Sequence, residues 1–282
     1  MNLGGFDFDK EKDVETIGFL GGGNMAEAII RGITGAGLYR GEDVFVSDIR
    51  QERLGYLADL YGVGTFSDNA TLAEKVDTLV LSVKPQNMAE ALEGIKGAVR
   101  QDALVISIAA GVKTEQICAA LGNRAVVRVM PNMPALIGEG ASALFANDMA
   151  KGMLKKSESI FSSVGLAVVV EREELIDAVT AVSGSGPAYY FLLSEEIINV
   201  GVEMGLPADI VRGLVLQTAK GAALLAVEGD KRGQSPAELR QKVTSVGGTT
   251  EAALKVLAGG GFGPLICAAV KRAEHRSREL SK

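Results

Sequence analysis

The run Ile17-Gly18-Phe19-Leu20-Gly21-Gly22-Gly23-Asn24-Met25-Ala26 constrains this chain more than any other part of it. An apolar, β-type stretch from Thr16 to Leu20 leads into Gly21-x-Gly23-x-x-Ala26, after which Ala26, Ile29, Ile30 and Ile33 recur with helical spacing. A strand that turns on glycine into a helix opens a βαβ unit, so the chain is expected to build a sheet with helices on its faces. In such a turn the first glycine bends the backbone and the second lets a pyrophosphate approach it. The small third residue lets the helix pack on the strand. A glycine-rich turn without a ligand is the plainer reading of the same residues.

A second strand, Val44-Phe45-Val46, ends at Ser47-Asp48-Ile49-Arg50. That lies about 20 residues beyond the fingerprint, where such folds read the adenosine ribose. Asp48 would accept a hydrogen bond from a free 2′-hydroxyl, as in NAD, whereas Ser47 with Arg50 would hold a 2′-phosphate, as in NADP. NADP(H) is favoured, with NAD(H) as the alternative.

Up to about Val170 short β-branched runs alternate with helical stretches. The strands expected are 16–20, 43–46, 77–83, 103–108, 125–130, 141–145 and 167–170, in a largely parallel sheet. From Glu174 onward only helical segments follow, broken at Gly205-Leu206-Pro207 and restarted at Pro187, Pro207, Pro236, Thr250 and Pro264. The fold expected is therefore α/β, an N-terminal Rossmann-like dinucleotide-binding domain over residues 15–172 and an all-α domain over 173–282. Residues 1–14, acidic and without an apolar signal core, read as a flexible extension.

Composition excludes several classes of function. A net charge of −6 and a pI near 5.1 leave no basic stripe for nucleic acid. One histidine, His275, and two distant cysteines, Cys118 and Cys267, leave no metal-ligand set. No apolar run reaches about 18 residues without a charge, so no membrane span is expected and the protein is placed in the cytoplasm. Leu214, Leu216, Leu224, Leu225 and Val227 cover more than one face of their helix. A domain of that size offers them little interior, so a homodimer through these helices is the expected arrangement.

Three further loops fall where strands end: Val83-Lys84-Pro85, Ala109-Ala110-Gly111 and Met130-Pro131-Asn132-Met133-Pro134. Ligands of α/β sheets bind at such ends. Lys84 is suited to a phosphate or ribose, the small residues to a flat ring, and Asn132 to a nicotinamide. Each of the three is also an ordinary structural loop. A polar glycine turn, Ser183-Gly184-Ser185-Gly186-Pro187, opens the first long C-terminal helix and is not an esterase elbow. Near the other end Ser245-Val246-Gly247-Gly248-Thr249-Thr250 precedes the apolar segment Glu251 to Leu257. Thr249 and Thr250 read as N-cap residues there, and clustered N–H groups at a helix start suit a small carboxylate.

Taken in order, these motifs resemble the pyrroline-5-carboxylate reductase family over residues 16–280. The resemblance rests on 17–26, Val83-Lys84-Pro85, 107–111, Met130-Pro131-Asn132 with Pro134, 183–189, and Pro236, Leu239, Val243, Ser245, Gly247, Gly248, Thr250 and Leu254. It implies NAD(P)H-dependent reduction of 1-pyrroline-5-carboxylate to L-proline, the last step of proline biosynthesis. For the cofactor it implies Gly21, Gly22, Gly23, Asn24, Met25, Ala26, Ser47, Asn69, Lys84, Pro85, Ala109, Ala110 and Gly111, to which Arg50 and Asn132 are added from the residues themselves. For the substrate carboxylate it implies Ser245, Gly247, Gly248, Thr249 and Thr250, and for assembly a helical dimerisation domain whose dimers often form decamers. This chain departs from the family at Val246, usually Pro, at Met133, commonly Thr, and in a longer stretch from Glu228 to Gln234.

Since the only histidine is far from these motifs, Thr250 is the candidate catalytic partner of the imine nitrogen. Two rival readings share the sequence plan. A β-hydroxyacid dehydrogenase would need a lysine base on the first long C-terminal helix, where there is none, leaving Lys220 on the next. A non-catalytic dinucleotide sensor would bind cofactor without turnover.

Overall fold

The structure, a computed structural model, describes residues 15–281; the extension read at 1–14 lies outside the described residues. Eight strands form one sheet: β1 (Ile17–Leu20), β2 (Val44–Ser47), β3 (Gly64–Phe66), β4 (Thr78–Leu81), β5 (Leu104–Ser107), β6 (Ala125–Met130), β7 (Gly140–Ala146) and β8 (Gly165–Val169). Their order is β3-β2-β1-β4-β5-β6-β7-β8. All neighbours are parallel except β6 and β7. The first six strands thus follow the doubly wound order that dinucleotide-binding sheets use.

Helices α1 (Asn24–Gly35), α2 (Gln51–Tyr61), α3 (Asn69–Lys75), α4 (Met88–Gly94) and α5 (Thr114–Leu121) follow β1 to β5 in turn, and α6 (Leu154–Ser162) lies between β7 and β8. Side chains alternate along each strand, so neighbouring residues serve opposite faces. On β4, Val80 joins Phe19, Ile29, Ile33 and Ile106 on one face, while Leu79 and Leu81 join Leu72, Leu92 and Ile117 on the other. Both faces are covered, hence the continuous apolar runs of the central strands. Each fully buried aliphatic side chain contributes roughly 1.5–3 kcal/mol.

Strand β3 was not anticipated. Its Gly64-Thr65-Phe66 carries no β-branched run, and pairing to β2 over Phe45↔Gly64 to Ser47↔Phe66 makes it a strand. Gly64 is demanded from outside its own segment: a Cβ there would lie 2.5 Å from the Phe45 ring.

The described residues fall into two compact units, 15–184 with 274–281, and Ser185–Ala273. The first adds α7 (Leu175–Val179) and a π-type turn, Thr180–Gly184, to the sheet. The second holds α8 (Gly186–Glu203), α9 (Ala208–Asp230), α10 (Pro236–Lys242) and α11 (Thr249–Gly259), and no strand among its described residues. A last helix, α12 (Phe262–Leu280), starts in the second unit and ends in the first. Helix α10 begins with a reciprocal cap: the Glu238 N–H donates to Ser235 Oγ and the Ser235 N–H to Glu238 Oε2.

Helix α9 buries only Val211 and Gly229, and Leu214, Leu216, Leu224, Leu225 and Val227 are each more than half exposed. By length and composition α9 is long and apolar enough to cross a bilayer, which the charge-free criterion did not register because Arg212 and Lys220 interrupt it. Helices α11 and α12, bent by 54° at their junction, pass that test only as a pair.

Candidate functional site

The turn after β1 is held from four directions. Its Gly21 N–H donates to Ser47 O at 2.8 Å, and Ser82 Oγ donates back to Gly21 O at 2.7 Å. The Gly22 N–H donates to Asp48 Oδ2 at 2.9 Å, while Arg53 Nε donates to Gly22 O at 2.5 Å. Gly21 adopts a φ of 102°, and a Cβ on it would lie 3.1 Å from Ser82 O. Gly23 is the N-cap of α1, without any side-chain cap, and a Cβ there would meet nothing within 4 Å. The first N–H groups of α1 have no helical acceptor, carry the positive end of the helix dipole, and are not covered by any capping side chain. That is the cradle a pyrophosphate requires, so the residues fit a dinucleotide.

Arg53 escaped the sequence reading because it lies on the next helix, outside any motif. Its guanidinium pairs with Glu27, which also accepts from Tyr56 and Tyr61. Burial raises the Glu27 pKa, but the Arg53 hydrogen bond and charge outweigh it and hold the carboxyl below its ordinary range.

At the end of β2, Ser47 Oγ donates to Asn69 Oδ1 at 2.7 Å, so two expected cofactor residues meet. Asp48 is turned inward. Its Oδ1 accepts the Arg50 N–H at 2.9 Å and Nε at 3.0 Å, and its Oδ2 accepts Arg50 Nη2 at 3.2 Å besides Gly22. Burial works to raise its pKa, and these bonds bring it below the ordinary value. The Asp48 side chain is 8% exposed and that of Arg50 61%, so the cation, not the carboxylate, faces solvent.

Lys84 and Pro85, which open a 3-10 turn after β4, are exposed. Ala109 follows β5, its N–H donating to Ser107 Oγ at 3.4 Å, and Gly111 adopts a φ of 76°. Asn132 is tied at both ends of its amide: Nδ2 donates to Ser183 O and Oγ, and Oδ1 accepts the Ala141 N–H at 2.8 Å. Those bonds fix the β6–β7 connection and leave the Asn132 side chain little to offer a nicotinamide.

In the second unit, Gly248 rather than either threonine is the N-cap of α11, and Thr249 and Thr250 occupy its first two positions. The threonine hydroxyls are therefore not the capping groups expected of them. A Cβ at residue 248 would lie 2.3 Å from Ser245 Oγ, which would have to rotate away, and 3.1 Å from Ser245 O. The Gly248 N–H donates to Ser245 O at 3.0 Å, and the Gly247 N–H to Glu251 Oε2 at 2.6 Å. Glu251 was missed as a partner of this turn; the Gly247 N–H and the Lys255 side chain lower its pKa. The N–H groups of Thr249 and Thr250 are first-turn donors that the helix itself cannot satisfy.

Residues 173–280 match the family described as pyrroline-5-carboxylate reductase dimerisation, and residues 16–111 the family described as NADP oxidoreductase, coenzyme F420-dependent. A pyrroline-5-carboxylate reductase of Pseudomonas aeruginosa is 41% identical over 268 residues, 94% of this chain and 97% of the relative. The solved pyrroline-5-carboxylate reductase of Coxiella burnetii superposes with a TM-score of 0.89 at 40% identity, over 96% of this chain and 100% of that one. The Plasmodium falciparum pyrroline carboxylate reductase, solved with NADP bound, superposes with a TM-score of 0.84 at 30% identity over 95% and 98%.

Proposed function

We infer the activity from a membership that is plain: the chain belongs to the pyrroline-5-carboxylate reductase family. It is an oxidoreductase that reduces 1-pyrroline-5-carboxylate to L-proline, with NADP(H) the favoured cofactor and NAD(H) a second. The observation that carries this onto the chain's own residues is the uncapped, open N-terminus of α1 behind Gly21 and Gly23. When bound, the reduced nicotinamide supplies the hydride that reaches the imine carbon.

The residue roles are our proposal. Gly21 to Ala26 take the pyrophosphate, Ser47, Asn69 and Arg50 the ribose end, and Lys84, Pro85 and Ala109 to Gly111 the remaining dinucleotide. Outward Arg50 and inward Asp48 support the preference for a 2′-phosphate. For Asn132 we keep only a role through the backbone it fixes. The turn Ser245 to Thr250 holds the substrate carboxylate, chiefly through the Thr249 and Thr250 N–H groups, since those of Gly247 and Gly248 have acceptors within the turn. Thr250 hydrogen-bonds the imine nitrogen, which must carry a proton for the carbon to accept hydride. A hydroxyl is too weak an acid to supply that proton at neutral pH, so Thr250 orients an already protonated iminium or relays a proton from water.

The functional division falls at residue 172, with 173–282 the dimerisation and substrate region. There a second copy of the chain covers the exposed apolar face of α9, and dimers assemble further into decamers. The protein works in the cytoplasm.

Deuterium transfer tests the chemistry. NADPH carrying deuterium at both C4 positions should yield proline with one deuterium on the former imine carbon, the ring CH2 next to nitrogen. Proline without that label would refute hydride transfer from the cofactor.

A further inference from the structure

Two carboxylates near α7, Asp177 buried and Glu173 partly buried, take no part in the chemistry proposed above, yet both lead to the same loop. Glu173 uses both oxygens on the start of α5: Oε1 accepts the Thr114 N–H at 2.8 Å and Oε2 the Thr114 hydroxyl at 2.7 Å. Its Oε1 also accepts Arg128 Nη1 at 3.1 Å. Arg128 lies on β6 with its side chain 2% exposed, and its Nη2 has no partner among the described residues. A buried guanidinium so sparsely satisfied relies on Glu173 for compensation. Thr114 in turn begins α5 three residues after Gly111.

One helical turn further on, Asp177 anchors the end of the chain. Its Oδ1 accepts Ser277 Oγ at 2.6 Å and Ser281 Oγ at 3.5 Å, and all three residues are buried. The segment so anchored lies directly on the loop: a Cβ on Gly111 would sit 2.9 Å from Leu280 O. Glycine is thus required at residue 111 twice over, by its φ of 76° and by the C-terminal backbone against it.

We propose that Glu173 and Asp177 are positioning residues for cofactor binding. They brace the loop Ala109–Gly111 at two points, Glu173 through Thr114 and Asp177 through the last turn of α12, so the C-terminal turn is part of what sets dinucleotide affinity. The proposal rests on the assignment of Ala109–Gly111 to the cofactor. Neither carboxylate touches substrate or cofactor; each acts through the backbone it fixes. Their effect therefore falls on the binding of NADPH and not on the reduction of bound imine.

Hydrogen–deuterium exchange of the unaltered protein, with and without NADPH, tests both layers. Residues 109–114 and 277–281 should gain protection together. Protection at 109–114 with none at 277–281 would overturn the clamp while sparing the loop assignment; no protection at 109–114 would overturn the assignment and the clamp with it. A second readout separates positioning from bulk stability. Ser277→Ala should raise the NADPH Kd about fivefold to tenfold, a part of the roughly 10- to 100-fold that one hydrogen bond to a charged group is worth, because only the share transmitted to the loop reaches the cofactor. Turnover at saturating NADPH and the KM for pyrroline-5-carboxylate should stay within about twofold, and Ser277→Thr should restore affinity. Ser277→Ala with an unchanged Kd, or with all three constants equally impaired, would overturn the proposal.

Discussion

Replacing Gly23 by alanine separates folding from cofactor binding, because the structure leaves the new methyl group free of the protein. Gly23 has φ −68° and ψ −179°, extended backbone open to any residue, and a Cβ on it meets no atom within 4 Å. Alanine is a poorer N-cap than glycine, but it also has less freedom to lose on folding, so the net change in stability should stay within about 0.5 kcal/mol. Binding is another matter. The methyl would add bulk at the N-cap of α1, next to the N–H groups a pyrophosphate must approach closely. Displacing the phosphates from even one such charge-assisted contact costs about 1.5–3 kcal/mol, which is on the order of 100-fold in affinity at the upper end. The control lies two residues away. Gly21→Ala places its methyl 3.1 Å from Ser82 O at a φ of 102°, so strain of about 1–3 kcal/mol should appear as a lower melting temperature. NADPH titration and thermal unfolding of both variants read the contrast. A Gly23→Ala protein of normal stability and normal NADPH affinity would refute the assignment of this turn to the pyrophosphate.

Thr250→Ala should lower kcat at least tenfold while leaving the Kd for NADPH near normal; unchanged turnover removes Thr250 from the chemistry. Arg50→Ala should lower kcat/KM with NADPH about tenfold and leave NADH nearly untouched, since only the 2′-phosphate needs the cation; an equal loss with both cofactors would argue against that role. Glu27, which the Arg53 hydrogen bond and charge hold below the ordinary glutamate range, contributes stability that is complete above the ordinary value and lost as the pH falls through the lower folded one. Glu27→Gln should accordingly melt lower than the unaltered protein at neutral pH, and the difference should shrink on acidification; a constant difference would show that Arg53 and the tyrosines do not depend on the charge.

The sheet was readable where local pattern and tertiary demand agree, as in β1 turning through Gly21 into the periodic α1. It was not readable at β3, whose Gly64 makes sense only against the Phe45 ring from β2. The same divide runs through the site. Glycines announce a turn by their own chemistry, so the cradle was visible from sequence. Arg53, Glu173 and Asp177 act on groups brought to them by the fold, and nothing in their local sequence marks a charged side chain as a tie rather than a solvated charge. Asp48 and Asn132 show the converse. Both residue types suit a cofactor, yet the fold spends Asp48 on Gly22 and Arg50, and Asn132 on Ser183 and Ala141. Threonine's preference for helix N-caps likewise gave way to Gly248, whose carbonyl accepts the Ala252 N–H and so starts the helix one residue earlier.

The most direct test of the central claim is the oxidation of NADPH, followed by absorbance, with and without pyrroline-5-carboxylate and with proline assayed alongside. The account predicts oxidation only when the imine is present, one proline formed for each NADPH consumed, and a higher kcat/KM with NADPH than with NADH. Protein that binds NADPH yet oxidises it no faster with the imine than without it would contradict the account.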